Sequence, residues 1–279
     1  MRGGYERSIV IIASLLVACS EDPRPTPSAP PVEPVEAAAD GYRLVELGDA
    51  GSISGQLRWT GELPAIPSFD ARTDRDECGA SHPSRALRVS GRGGVADAVI
   101  EIVSPSAGGA LERPAQPVTV SREGCRFEPH VAVVGVGWPI EFSSADDVVH
   151  TSGTLDGRRV LDLGLPRAGA SARGRVREPG LVRLACDAGH GWEHAWLRVL
   201  DHPYAVVSDE DGRFRISNVP PGQYALRVWH EGWLVTGTRA GRPTYSNPVI
   251  LHRTVSVSPR QETTVDFELS QQSAEIAGG

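Results

Sequence analysis

The chain has 279 residues, of which 40% are hydrophobic, and its formal charge at pH 7 is -7. The net negative charge and the absence of a basic stripe argue against nucleic acid as a partner. The part that follows residue 49 is long enough for one large or two small domains with real cores.

Residues 1–19 have the pattern of an export signal. Two arginines precede an apolar run, residues 9–17, that is too short to span a bilayer. The run closes with Leu16-Val-Ala-Cys19, which resembles the lipobox of bacterial lipoproteins. The resemblance implies a lipid on Cys19 and a place in the cell envelope, and Ser20 favours the outer membrane, facing the periplasm or the cell surface. An ordinary signal, cut nearby after small residues, is the alternative.

Residues 20–49 are rich in proline, alanine and acidic residues, and no apolar residue recurs with a period that could bury one face. Proline at this density favours an extended backbone without internal hydrogen bonds. We therefore predict a disordered, semi-rigid tether, which at about 3.1 Å per residue would reach on the order of 90 Å. The functional part would then stand well clear of the membrane.

From residue 50 onward the sequence predicts an all-β fold. Short runs of alternating polarity, such as those at 52–59, 98–103 and 182–185, are separated by clusters of glycine, proline and aspartate. No segment of convincing length has a helical period. The last residues, 271–279, are predicted to be a disordered tail.

A candidate metal loop lies near the middle of the chain, where Cys186 and His190 stand between two strand-like runs. A thiolate and an imidazole on one tight turn can face a single ion, and this pair suits copper, or zinc with further ligands. His150 follows an acidic turn at the end of an earlier β-run and is the best candidate for the third ligand. The alternative is that Cys186 is a buried strand cysteine and the histidines are surface residues.

The arrangement of this loop resembles that of the cupredoxins, in which a histidine follows an early strand and Cys and His lie on the loop before the last strand. The stretch from Cys125-Arg-Phe-Glu-Pro-His-Val131 to Ile140-Glu-Phe142 also resembles the start of that family's pattern. The resemblance implies a Greek-key β-sandwich over residues 115–201 that binds copper through His150, Cys186 and His190.

The chain departs from the family pattern at the end of the loop. The spacing is Cys-x-x-x-His, and Glu193 stands where family members have a methionine. Met1 is the single methionine of the chain, so no thioether is available as a weak axial ligand. The fourth ligand is therefore Glu193, with His194 or a backbone carbonyl as alternatives.

The stretch from Asp209 to Tyr224, Asp-Glu-Asp-Gly-Arg-Phe-Arg-Ile-Ser-Asn-Val-Pro-Pro-Gly-Gln-Tyr, closely resembles the signature of carboxypeptidase regulatory-like domains. This resemblance implies a transthyretin-like β-sandwich over residues 202–270, as in a bacterial lipoprotein family in which a cupredoxin runs directly into such a sandwich. These strands alone are too few for a closed sandwich. Residues 50–114 either supply its first strands, with the cupredoxin inserted between them and the rest, or enlarge the cupredoxin, and the sequence leaves both open.

Four cysteines in an exported chain invite a pairing argument. With Cys19 carrying lipid and Cys186 in the metal loop, Cys78 and Cys125 are left for each other, and an oxidising compartment would preserve their bridge. Any other pairing would deprive a copper site of its thiolate.

The leading functional hypothesis is a membrane-tethered copper protein that exchanges single electrons with another, unidentified redox protein. A second hypothesis is a copper or zinc carrier or storage protein without electron transfer, in which His150, Cys186, His190 and Glu193 form a closed tetrahedral set. A third is a surface binding module for a glycan, since carboxypeptidase regulatory-like domains have carbohydrate-binding relatives. No catalytic constellation stands out, so we do not expect an enzyme.

Overall fold

The computed structural model describes residues 41–147, 151–155, 157–186 and 188–277, and all of them belong to one compact unit, Ala37–Gly279. The predictions for the export signal, Cys19, His150 and residues 20–40 of the tether lie outside the described residues. In the described part, no helix is both long and apolar enough to cross a membrane.

The regular secondary structure of the described residues is almost entirely β-strand, which confirms the all-β prediction. The first half of the unit contains strands β1 (Arg43–Leu44), β2 (Gly51–Trp59), β3 (Ser68–Asp70), β4 (Ser81–Pro83), β5 (Val99–Ile102), β6 (Ala107–Gly108), β7 (Val118–Arg122), β8 (Phe127–Glu128), β9 (Val131–Gly135), β10 (Ile140–Ser144), β11 (Thr151–Leu155) and β12 (Arg158–Leu163). The second half contains β13 (Ser171–Gly174), β14 (Gly180–Ala185), β15 (His194–Leu200), β16 (Ala205–Val207), β17 (Arg213–Val219), β18 (Gly222–His230), β19 (Val235–Arg239), β20 (Arg242–Tyr245), β21 (Val249–Val257), β22 (Glu262–Thr264) and β23 (Phe267–Leu269). The helices are α1 (Arg75–Cys78) and α2 (Gln271–Ala277).

The strands β7 to β15 form a first β-sandwich. One sheet has the order β13-β10-β7-β8 and the other has the order β12-β11-β14-β15-β9. Strand β10 runs parallel to β7, and β15 runs parallel to β9, so the sheets are mixed. Alternate residues of both sheets point inward and make one core, which includes Val120, Phe142, Val182, Leu184 and Leu197.

The second sandwich combines strands from both ends of the unit. Strand β5 lies between β16 and β18 in one sheet, and β2 pairs antiparallel with β17 and parallel with β22 and β23 in the other. Its core includes Ile53, Leu57, Ile100, Ile216 and Leu226. The strands of residues 50–114 thus complete the C-terminal sandwich, and the first sandwich is an insertion between β5 and β16.

The backbones of this second sandwich approach closely at Gly55 on β2. A Cβ atom at Gly55 would lie 1.8 Å from the carbonyl oxygen of Val265. Only glycine permits this approach, since real Cβ atoms do not come so near to another atom.

Two predictions of disorder are wrong where the structure describes the residues. In the tether, Arg43–Leu44 pairs with Ala107–Gly108, and the Tyr42 hydroxyl donates a hydrogen bond to the carbonyl of Gly109 at 2.6 Å. In the tail, Gln271–Ala277 is a helix whose Ala274 packs in the core of the second sandwich. Both segments are too short to show a period, and tertiary contacts order them.

Cys78 and Cys125, the partners predicted by the pairing argument, form a disulfide with a Cα to Cα distance of 5.4 Å. The bridge ties helix α1 to the turn between β7 and β8. Trp192, on the loop between β14 and β15, packs against these two cysteines. The disulfide therefore holds the residues around α1 next to the candidate metal loop.

Candidate metal centre

The loop between β14 and β15 closes tightly because its two flanking strands are paired up to its base. Ala185 and His194 are register partners, and the Glu193 amide donates to the carbonyl of His190 at 3.0 Å. Gly189 has a φ of 98°, which favours glycine at the tip. The loop turns Cys186, His190 and Glu193 inward, and all three are buried.

Three of the ligands predicted from the sequence converge in this loop. The Cys186 Sγ lies 3.4 Å from His190 Nδ1, and His190 Nδ1 lies 3.2 Å from Glu193 Oε1. One ligand atom from each of these residues falls within 4.8 Å of the other two. The remaining predicted ligand, His150, lies outside the described residues, so the structure neither places it at this cluster nor removes it.

Asp74 holds the other edge of the His190 ring. Its Oδ2 lies 2.8 Å from His190 Nε2, so the ring is oriented with Nδ1 toward Cys186 and Glu193. A histidine that binds metal through one ring nitrogen usually donates a hydrogen bond from the other, often to a carboxylate. Sequence reasoning missed Asp74, because it is 116 positions from His190 and has the appearance of an ordinary loop residue.

Arg122 is the second residue that sequence reasoning missed. It is fully buried, and its Nε and Nη2 donate to the Glu193 carboxylate at 3.1 and 2.8 Å. The same Nη2 lies 3.9 Å from the Cys186 sulfur. The guanidinium therefore neutralises the charge of Glu193, and it places a fixed positive charge beside the thiol.

The charge state of His190 follows from these neighbours. Burial by itself would lower its pKa, but hydrogen bonds to Cys186 and Glu193 and the charges of both raise the pKa to about 10. The imidazole is therefore protonated at neutral pH in the metal-free cluster. Because a metal ligand must be the neutral imidazole, metal binding would release this proton.

The contacts within the cluster suit copper at two of the three side chains. The sulfur of Cys186 and the Nδ1 of His190 face one point and form the thiolate and imidazole pair that copper favours. Glu193 fits less well, because both of its carboxylate oxygens already accept hydrogen bonds from Arg122. The pair Cys186 and His190 fits the metal, and Glu193 would bind only as an oxygen shared with a guanidinium.

His194, the alternative fourth ligand, does not join this cluster. Its ring points to the other side of the loop, where Nε2 lies 2.9 Å from Glu231 Oε2. Strand alternation explains the difference, since Glu193 and His194 are consecutive and their side chains leave the backbone on opposite sides.

Trp192 covers the disulfide side of the centre. Its ring lies 5.1 Å from the His190 ring, centroid to centroid, and is stacked on His82 at 4.1 Å. Its Nε1 donates to the carbonyl of Cys125 at 3.1 Å, which holds the indole in place. The ring thus restricts the access of water to His190 from this direction.

A family model described as "Carboxypeptidase regulatory-like domain" matches residues 187–270. This match covers the C-terminal strands and agrees with the resemblance found between Asp209 and Tyr224. A search of curated proteins found no match to the chain.

Among solved structures, a copper-containing nitrite reductase from Thermus scotoductus SA-01 is 26% identical, with 35% of this chain and 25% of that chain covered and a TM-score of 0.27. A purple cupredoxin from Nitrosopumilus maritimus is 18% identical, covering 30% of this chain and 99% of that chain, with a TM-score of 0.26. Amicyanin from Paracoccus versutus is 18% identical, covering 36% and 97%, with a TM-score of 0.25. The chain spans about a quarter of the nitrite reductase and almost all of the two smaller proteins. The predicted fold class is confirmed as all-β with two β-sandwiches, and the C-terminal one matches the carboxypeptidase regulatory-like domain.

Proposed function

We propose that this protein is an exported copper protein, anchored to a membrane by a lipid on Cys19, that transfers single electrons. The observation that carries the proposal is the convergence of Cys186 Sγ, His190 Nδ1 and a Glu193 oxygen, all buried, within 4.8 Å of one another. His150 is the proposed third strong ligand. Bound copper would supply a one-electron couple between its two common oxidation states.

The residues around the cluster would keep the ligands in one geometry. Asp74 fixes the tautomer and tilt of the His190 ring, and Arg122 holds the Glu193 carboxylate through three contacts of 2.8 to 3.1 Å. The Cys78 Sγ of the disulfide lies 3.9 Å from His190 Nε2. A site whose ligands move little on oxidation and reduction loses little energy to reorganisation, which is what electron transfer requires.

The proposed surroundings follow from the sequence. A lipid on Cys19 would place the protein at the outer membrane, facing the periplasm or the cell surface, and the tether would let the sandwiches reach a partner. That partner is proposed to be another redox protein. We propose no catalytic role, because the thiol and the imidazole of the cluster, Cys186 and His190, are both 0% exposed.

Copper content and the visible spectrum of the purified full-length protein test the proposal. We expect a stoichiometric copper ion and a thiolate-to-copper absorption band that is reversibly bleached by reductant. In Cys186→Ser the band should vanish, whereas His252→Gln, a change of an exposed histidine on β21, should keep it. Zinc that is bound without a visible band and is lost in Cys186→Ser would favour the carrier or storage alternative, and an absence of bound metal would refute the proposal.

The contribution of Asp74 can be measured separately. Asp74→Asn removes the charge that orients His190 but keeps a side chain of the same size, and we expect it to weaken copper binding by about 10- to 100-fold. A competition titration against a chelator measures this affinity. Asp76→Asn on helix α1 is the matched control and should leave the affinity unchanged.

A further inference from the structure

A second group of buried, ligand-type side chains lies on the other face of the same loop, at the junction of the two sandwiches. His130 immediately precedes β9, His194 is the first residue of β15, and Glu231 follows the end of β18. All three are buried, with 2 to 4% of their surface exposed. Because they come from three distant parts of the chain, no spacing in the sequence indicated them.

The three side chains face one another through the atoms that bind metals. Glu231 contacts His130 Nε2 through Oε1 and His194 Nε2 through Oε2, the second at 2.9 Å. One ligand atom from each residue lies within 4.8 Å of the other two. Ligands at about 2.0 to 2.2 Å from a zinc ion are separated by a little over 3 Å from each other, so small side-chain shifts would admit the ion.

The contacts of His194 suit a metal ion at this point. Its Nδ1 lies 3.3 Å from the carbonyl oxygen of Trp192, and its Nε2 faces the Glu231 carboxylate. Both partners can only accept hydrogen bonds, whereas a neutral imidazole has a single N–H. With the Nδ1–H directed at the carbonyl, Nε2 presents its lone pair toward the carboxylate, and a metal ion between them would bind both. A metal-bound histidine with its other N–H on a backbone carbonyl is a common outer-shell arrangement.

Trp196 also fixes the orientation of the Glu231 carboxylate. The indole Nε1 of Trp196 donates to Glu231 Oε2 at 2.9 Å, which aims the carboxylate at the two imidazoles. Two histidines and one glutamate form a donor set that zinc enzymes use with a fourth position left open. The residues present thus provide three ligands and a fixed orientation for each.

The open position would face a pocket of about 480 Å³ that His194 and Glu231 themselves line. Three arginines, Arg183, Arg239 and Arg242, also line the pocket, so it is strongly cationic. Guanidinium groups recognise carboxylates through paired hydrogen bonds. We infer that His130, His194 and Glu231 form a divalent-metal site of zinc type, whose open coordination position binds a small carboxylate ligand in this pocket.

The test uses the full-length Cys186→Ser protein, in which the thiolate cluster is disabled, so the outcome is independent of the proposed copper site. After removal of metals, it is titrated with Co²⁺ as a spectroscopic probe and then with Zn²⁺. We expect one cobalt ion with tetrahedral ligand-field bands, no thiolate charge-transfer band, and displacement by zinc. Adding Glu231→Gln or His194→Gln should weaken binding by more than about 10-fold, whereas His202→Gln, another buried histidine, should not.

A measurement that leaves the cluster intact guards against variants that fail to fold. Ring-nitrogen NMR of the Cys186→Ser protein should show Zn²⁺ shifting the Nε2 resonances of His130 and His194. Unchanged resonances, or cobalt binding that survives both ligand replacements, would overturn the site in favour of a purely structural ion network.

The open position is tested with acetate as the probe. Acetate should shift the bands of the cobalt-loaded protein, and Arg183→Gln should raise the concentration that is needed by several-fold. A cobalt spectrum that acetate does not change would overturn the open position and the carboxylate ligand.

Discussion

The ion pair between Arg122 and Glu193 offers a sharp test of how the first cluster is held together. Their side chains are 1% and 0% exposed, and the guanidinium donates to both carboxylate oxygens. Replacing Arg122 with Met substitutes an apolar side chain of similar length and removes the charge. The Glu193 carboxylate would then be buried without its guanidinium partner.

Removing one partner of a buried ion pair destabilises a protein by about 3 to 5 kcal/mol, because an uncompensated charge stays in the interior. His190 contacts Glu193 at 3.2 Å and is protonated, so it compensates part of the charge. We therefore expect the lower end, about 3 kcal/mol. At about 2 to 4 °C per kcal/mol for a chain of this size, Tm should fall by roughly 6 to 12 °C.

The assay is thermal unfolding by circular dichroism with a chelator present, for Arg122→Met, Glu193→Gln and the double variant. The double variant should recover about 2 kcal/mol relative to the sum of the single changes, because the two residues act as one unit. Arg173→Met is the control, since Arg173 pairs with Glu141 at 2.9 Å on the surface and should contribute less than about 1 kcal/mol. A fall in Tm no larger than the control's, or simple additivity, would refute the reasoning.

Three further predictions concern pH, the disulfide and the anchor. The folded-state pKa of His190 is raised from 6.5 to about 10, so its contribution to the stability of the metal-free protein is complete below pH 6.5 and is lost as pH rises through about 10. The urea concentration at the unfolding midpoint should fall across this range, and His190→Gln should remove this pH dependence. Replacing Cys78 and Cys125 with Ser should lower stability by about 4 kcal/mol for a loop with a sequence separation of 47, and thiol titration of the unfolded, metal-free protein should label Cys186 but neither partner of the bridge; labelling of either partner would contradict the pairing. Cys19→Ala should move the protein from the membrane fraction to the soluble fraction, and unchanged fractionation would place the anchor elsewhere.

The parts of the structure that depend on local pattern could be predicted. Phe214 and Ile216 alternate with exposed arginines, and both are buried in strand β17, as the period of two requires. Cys186, His190 and Glu193 lie within eight consecutive positions, so a tight turn was sufficient to bring them together. The pairing of Cys78 with Cys125 followed from the roles that the sequence suggested for Cys19 and Cys186, which left these two cysteines for each other.

Other features depend on contacts that no local pattern shows. Asp74 and Arg122 are polar residues in unremarkable surroundings, and they reach the centre across 116 and 71 positions of sequence. The pairing of β2 with β17 decided that residues 50–114 complete the second sandwich rather than enlarge the first. The alternation of residues in a strand predicts that one of its faces is buried, but it does not predict which strand is its partner.

The sequence by itself therefore determined that the protein is all β and that Cys186 and His190 share one short loop, and it left Glu193 and His194 as alternative further ligands. The tertiary structure alone decided what surrounds that loop. It places Asp74 beside His190 and the Arg122 guanidinium on Glu193. It also directs the His194 side chain away from Cys186, so that it contacts His130 and Glu231. The physical reason is that side-chain alternation is set by the local backbone of a few residues, whereas charge pairing and burial depend on which distant residues the fold brings together.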